Sequence, residues 1–368
     1  MVTAQQSRVV LHVGSPKSGT TFLQQAMWHH RPALAEAGIA LPGRRQREMF
    51  LAAIEVREEH EFWGYAPDQI DGTWARLCAQ AREHRGTTVM SHELLSAATP
   101  EQIERALSHL EGVELHLVLT ARDLVRQVTS EWQERVKNGG TRSFRKFSRR
   151  IMGQLERGEV DAGFWGHQNP AGILRRWGGH LPPERVHVVV APQPGAGPDV
   201  LWQRFGAAVG FDASALDPQV VSRTNPALGA AQVAVLRHVN AALARRIPQP
   251  GYARIVKDQF AETLLAGQGG ARPQCPPRLA RQLRDQARLW NQEMRGLGYA
   301  THGMLSELIP RISEDVVAPD RVPTEEVLDA FAQAVASLLI ERAEAGRATT
   351  SPVEVTSAWQ RIRGRLAR

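Results

Sequence analysis

Apolar and polar positions follow two rhythms along this chain, and the rhythm changes near residue 226. Residues 8–14 (RVVLHVG) are a short apolar, β-branched run ending at a Gly-Ser-Pro turn, which predicts a buried strand. Residues 20–30 carry Phe22, Leu23, Ala26 and Met27 at helical spacing. Residues 87–91 (TTVMS) predict a second strand. A helix over 100–110 follows, with Thr99 as N-cap and Pro100 at its first position. Residues 113–120 (VELHLVLT) form the clearest strand after the first. Helical spacing then runs over 123–137 and stops at Asn138-Gly139-Gly140. A fourth strand, 186–191 (VHVVVA), is closed by PQPGAGP.

Strands alternating with helices predict an α/β fold in three layers, with a central, mainly parallel sheet. Beyond 226 the pattern is mostly helical: residues 227–246, 278–298 and 325–345 each show an apolar stripe opposite Arg and Glu. We read residues 1–368 as one domain. It has an α/β core over 8–230, helical insertions, and a mainly helical C-terminal portion over 231–368.

Composition narrows the picture. Apolar residues at 42% and charged residues at 23% are ordinary for a globular chain. No apolar run approaches the roughly 20 residues needed to cross a bilayer, and the N-terminus lacks the pattern of a secretory leader. The expectation is a cytoplasmic protein without stable membrane insertion. Cys78 and Cys275 stand far apart without a CxxC partner, which argues against a disulfide scaffold or thiolate metal site and makes both small core residues. The net charge of +7 favours anionic partners. Much of the excess lies in Arg-rich stretches, 142–150 and 361–368, that read as solvated faces. No nucleic-acid-binding motif accompanies them, so nucleic acid is not an expected partner. The pattern leaves the oligomeric state open.

The most informative string is HVGSPKSGTTFLQ, residues 12–24. Gly14 and Gly19 have the G-x-x-x-x-G spacing of a phosphate-binding loop between a strand and a helix. Glycines permit the tight turn, successive N–H groups share one concavity, and the helix N-terminus adds partial positive charge. Thr20 and Thr21 add hydroxyls. A nucleotide triphosphatase has Lys directly after the second glycine; here that position is Thr20, and the lysine is Lys17, inside the loop.

PKSGTTFL resembles the 5′-phosphosulfate loop of the PAPS-dependent sulfotransferase family, in which a Pro-Lys-x-Gly-Thr-Thr core recurs. The resemblance, strongest over residues 8–140, implies a P-loop-like fold of a bacterial member. It also implies donor contacts from Pro16, Lys17, Ser18, Gly19, Thr20 and Thr21. After the third strand, ARDLVRQVTSEWQERVKNG is similar to the family's Arg-Asp-Pro segment, with a serine eight residues after the arginine. By that resemblance Arg122 and Ser130 would grip the donor's 3′-phosphate, an anion that suits a guanidinium fork. Leu124 stands where the family has proline, and the family's Arg-Lys-Gly loop is absent. VSRTNPALG (221–229) looks similar to an Arg-x-Asn-Pro-Ser-Leu segment of some bacterial members, which adds Arg223 and Asn225 as donor contacts.

The resemblance further implies that Lys17 offsets charge on the leaving phosphate, that PAPS is the co-substrate and PAP the product, and that no metal takes part. A base is expected where the second strand closes in TTVMSHELLS. His92 and Glu93 are the candidates. Neighbours on an extended strand point to opposite faces, so one of the two is expected to face the donor, and the Ser-x-Glu pattern favours Glu93. The acceptor, a hydroxyl or amine of a carbohydrate, lipid or other small molecule, is not specified. Its determinants are expected in the insertions over 40–85 and 140–180. Trp132, Trp165 and Trp177 are read as core residues that could alternatively line an acceptor cleft, and the other histidines as structural. Two further readings stand beside this one: a phosphate-loop kinase or nucleotidase using ATP and magnesium, and a nucleotide-binding homologue without turnover.

Overall fold

The computed structural model describes residues 7–197, 199–220 and 227–349. Among the described residues, six strands form a single sheet: β1 (Arg8–His12), β2 (Ile39–Ala40), β3 (Thr87–Ser91), β4 (Glu114–Ala121), β5 (Val186–Val190) and β6 (Ala300–His302). Their order is β2-β3-β1-β4-β5-β6, with all five pairings parallel. Between β1 and β2 lie α1 (Thr20–His29) and α2 (Arg31–Glu36). Between β2 and β3 lie α3 (Arg47–Arg57), α4 (His60–Trp63) and α5 (Thr73–Glu83). One helix, α6 (Pro100–Ser108), connects β3 to β4. The passage from β4 to β5 carries α7 (Leu124–Lys137), α8 (Phe144–Glu156), α9 (Gly163–Gln168) and α10 (Pro170–Gly178). That from β5 to β6 carries α11 (Asp199–Val209), α12 (Ala230–Leu243), a π-helical segment (Ala253–Leu265) and α13 (Pro277–Gly296). A long helix, α14 (Thr324–Thr349), follows β6.

The sheet is covered on both faces, as parallel sheets require. Side-chain alternation along β1 divides the core in two. Val10, with Val89, Val118 and Val189 of neighbouring strands, packs beneath Leu23 and Met27 of α1 and Trp202 and Phe205 of α11. Val9 and Leu11 face the other way, into a larger core that extends through α3, α5, α7 and α10 to α13 and α14. The three-layer α/β architecture expected from the sequence is therefore present.

Sequence patterning finds four of the six strands within a residue or two. It misses β2 and β6, which have two and three residues, too few to show a period. β6 lies within the expected helical portion yet pairs with β5, so that portion also contributes to the sheet. Local capping follows the sequence closely. Thr99 caps α6 by accepting from the Gln102 N–H, and Asp123 caps α7 by accepting from Arg126. Both cysteines are buried, and burial pushes each thiol up to about 12. Among the described residues, no helix is long and apolar enough to cross a membrane.

Candidate functional site

The strand order reverses at β1, which has β3 on one side and β4 on the other. Ligands of open parallel sheets bind outside the carboxyl ends of the strands at such a switch point. Here three chain segments leave those ends side by side: the loop after β1, His92 and Glu93 after β3, and Arg122 after β4. All three line one cleft of about 2200 Å³.

The loop is shaped by backbone constraints. Gly14 cannot carry a side chain, because a Cβ there would run into Thr120 Oγ1 and lie 2.7 Å from Thr20 Cγ2 and 2.8 Å from His12 Nε2. Gly19 (φ +104°) and Lys17 (φ +68°) both adopt left-handed conformations, which disfavour a side chain at the lysine. The guanidinium of Arg122 supports this turn, donating from Nη1 to the Lys17 carbonyl at 2.9 Å. Amides of Gln127 and Gln168 donate to the Pro16 carbonyl at 3.4 and 3.3 Å. α1 starts at Thr20, so its first N–H groups have no intrahelical acceptor. Thr20 and Thr21 line the cleft with Pro16, Lys17 and Gly19. The Ser18 hydroxyl is turned inward instead: it donates to the Ser15 carbonyl at 2.6 Å and meets Thr120 Oγ1 at 2.6 Å.

Beneath the loop lies a network that the sequence did not reveal. His12, fully buried at the end of β1, joins Ser91 Oγ at 2.8 Å to Thr120 Oγ1 at 3.1 Å. Burial, opposed by Glu93 and reinforced by His92, lowers its pKa to about 4, so it is neutral at pH 7. Gln24 of α1 extends the network by donating to Ser91 Oγ at 3.3 Å and to Glu93 Oε2 at 3.0 Å. The ends of β1, β3 and β4 are thus tied together below the loop that follows β1.

Both candidate bases line the cleft, which corrects the expectation that only one would. The alternation argument fails because β3 ends at Ser91. The chain turns at His92 into a 3₁₀ helix (Glu93–Ala97), bringing both side chains to one side. His92 Nδ1 accepts the Leu94 N–H at 3.2 Å, so in the neutral ring the proton sits on Nε2. Burial, opposed by Glu93, lowers the His92 pKa and favours that neutral form. Burial alone would raise Glu93, but His92, its own backbone N–H, Gln24 and Lys17 together hold it below the usual carboxylate range. At neutral pH Glu93 is the ionised acceptor of the pair.

Arg122 is largely buried beside the loop, and its Nε–H has no partner among the described residues. Burial, helped by Arg126 and opposed by Asp123, lowers its pKa to about 10, so it remains cationic. Ser130 lies on α7, one turn from both Arg126 and Glu134, and lines the same cleft. Asp123 is occupied as the cap of α7 and pairs with Arg126 at 3.4 Å. Among the described residues no group of three His, Cys, Asp or Glu is arranged to hold a metal ion. Arg223 and Asn225 lie outside the described residues. Trp165 and Trp177 are buried in the core and donate to the Ile151 and Leu95 carbonyls; Trp132, also buried, contributes to the cleft wall.

Sequence reasoning also missed the charges facing the loop lysine. Lys17 Nζ lies 2.7 Å from Glu134 Oε2, while Lys257 Nζ lies 2.7 Å from Glu134 Oε1. Burial alone would raise Glu134, but Lys17 and Lys257 hold it far below the ordinary carboxylate range. Glu131, one turn further back, is bonded by Arg135 at 3.1 Å and faces His167 at 3.8 Å. The position of Glu134 on the cleft face of α7, four residues after Ser130, was the available signal. Nothing local marked Lys257.

No family model and no curated protein matches the chain. A solved sulfotransferase from Alicyclobacillus acidocaldarius is similar at 18% identity with a TM-score of 0.40, covering 60% of this chain and 87% of that one.

Proposed function

We propose that this protein transfers a sulfuryl group from PAPS to a hydroxyl or amine of a carbohydrate, lipid or other small-molecule acceptor, releasing PAP. The observation that carries the reading is the loop after β1. Its lysine lies within the turn, and the adjoining Arg122 is fixed on the Lys17 carbonyl while its buried Nε–H lacks an acceptor among the described residues. A loop of this shape suits the 5′-phosphosulfate, and a desolvated guanidinium suits the 3′-phosphate that separates PAPS from ATP. Ser130, on the cleft face of α7, would share that phosphate.

The chemistry assigned to this chain's groups is an in-line displacement. Glu93 takes the acceptor proton as the acceptor oxygen or nitrogen bonds to sulfur. The bond from sulfur to the bridging phosphate oxygen breaks, and Lys17 offsets the charge left on PAP. The proton on His92 Nε2 makes Glu93 the better base.

Isothermal titration with PAP and a sulfate-transfer assay over an acceptor panel test the reading. Micromolar PAP binding is expected, with ATP binding more weakly. Lys17→Ala should lower turnover ~10²–10³-fold and Glu93→Gln ~10²–10⁴-fold, both without unfolding the protein. Magnesium-dependent ATP binding indifferent to a 3′-phosphate would replace this reading with a kinase or nucleotidase. PAP binding without turnover on any acceptor would favour a non-catalytic homologue.

A further inference from the structure

The loop lysine is paired with a carboxylate, and an incoming anion must compete with that carboxylate for it. Each oxygen of Glu134 faces one lysine at 2.7 Å, Lys17 from the loop and Lys257 from the π-helical segment. Asn138 adds an amide N–H to Oε1 at 3.1 Å. If Lys17 moved to a bound anion, Lys257 would remain as countercharge on Glu134. Without Lys257, the anion would lie beside a partly buried carboxylate that keeps the neutral Asn138 amide but no countercharge. Like charges at such distances disfavour binding strongly.

The segment that delivers Lys257 is built for this contact. It pairs with α7 twice, through Lys257 to Glu134 and through Glu262 to Lys137 at 3.0 Å. Glu134 and Lys137 are three residues apart on α7 and share a face. Lys257 and Glu262 are five residues apart, which in an α-helix separates them by about 140° around the axis. The wider π turns bring them to the same side, where the two pairs cross with opposite polarity. Lys257 is itself held charged: burial would lower its pKa, but Glu134 raises it.

We propose that Lys257 is a positioning residue for Lys17, neutralising Glu134 so that the loop lysine can leave it for the anionic group of the donor. The inference rests on the donor reading above.

The experiment is PAP titration and steady-state turnover on the full chain for wild type, K257M, K257R, E134Q and the double variant K257M/E134Q, with thermal melts alongside. K257M should weaken PAP binding ~10-fold or more, and K257R should retain it within about threefold. K257M/E134Q should return to within about threefold of wild type, because no carboxylate is left uncompensated. That double variant keeps the question answerable even where K257M alone does not fold. A purely structural role for Lys257 predicts no rescue. Unchanged affinity in K257M, or a double variant as weak as K257M, overturns the inference while leaving the donor reading intact. Wild-type protein that binds no PAP overturns the donor reading and this inference with it.

Discussion

The two walls that meet at Lys17 are built on different physical terms. The loop wall is a matter of backbone shape: a glycine with no room for a Cβ, two left-handed residues, and hydroxyls and amides that hold the turn from below. The α7 wall is a matter of charge: Glu134 between Lys17 and Lys257, and Lys137 against Glu262. The glycines and lysine that signal the first kind lie in a dozen consecutive residues, although Thr120, Gln127 and Gln168 brace the turn from distant positions. The ion pairs of the second kind join positions 117, 123 and 125 residues apart. The cleft thus combines a cradle whose signature is local with a charge balance assembled from three separate parts of the chain.

Breaking the cradle should have the largest effect. Gly14→Ala places a methyl group against Thr120, Thr20 and His12. It should destabilise the fold by about 1–3 kcal/mol, as overpacking does, and abolish measurable PAP binding. Chemical denaturation with PAP titration checks both. Near-normal affinity in this variant would mean that loop shape is not what organises the site.

Removing the residue that joins the two walls should have a smaller effect. Arg122→Ala loses the support of the Lys17 carbonyl as well as the proposed phosphate contact. PAP affinity should fall ~10–100-fold, in line with the worth of a charged hydrogen-bonding group. Arg122→Lys should restore only part of it, since an ammonium lacks the fork. Unchanged PAP affinity in Arg122→Ala would remove Arg122 from the donor site.

The smallest effect separates the walls by pH. His12, below the cradle, has its pKa lowered from 6.5 to about 4 by burial. The unfolded chain therefore binds more protons there, and stability should decline as pH falls from 6.5 towards 4, by on the order of 1–3 kcal/mol. His187 is lowered over the same window, by burial and by its neighbours His302 and His116, and acts in the same direction. Glu134 has a depressed pKa, so its contribution is present above the ordinary value of 4.5 and is lost as pH falls below it. Denaturant melts at pH 7, 5 and 3.5 should show both declines in the wild type. Glu134→Gln should leave the decline from pH 7 to 5 unchanged and reduce the decline from pH 5 to 3.5, to which His12 and His187 also contribute.

His187 belongs to a second histidine network, which crosses β4, β5 and β6. His302, His187 and His116 are linked at 3.3 Å spacing across β6, β5 and β4, and His116 meets Glu114 at 2.7 Å. Sequence reading set these rings aside as lone structural residues because they lie far apart in the chain. The parallel register puts them side by side.

The sequence by itself determined the elements whose causes are local. The β-branched runs of β1, β3, β4 and β5 and the caps Thr99 and Asp123 depend on interactions within a few residues, and the glycine–lysine loop is recognisable from its own string although Thr120, Arg122, Gln127 and Gln168 hold its shape from distant positions. Tertiary structure decided the rest. The edge strands β2 and β6 exist because neighbouring strands offer hydrogen-bonding partners, not because two or three residues carry a period. His92 and Glu93 face one cleft because the chain leaves β3 at Ser91 and enters a 3₁₀ helix at Glu93, where strand alternation no longer applies. Lys257 reaches Glu134 only because a π-helical segment packs on α7. Charge acts through space, and one-dimensional spacing does not record which distant side chains packing will bring together.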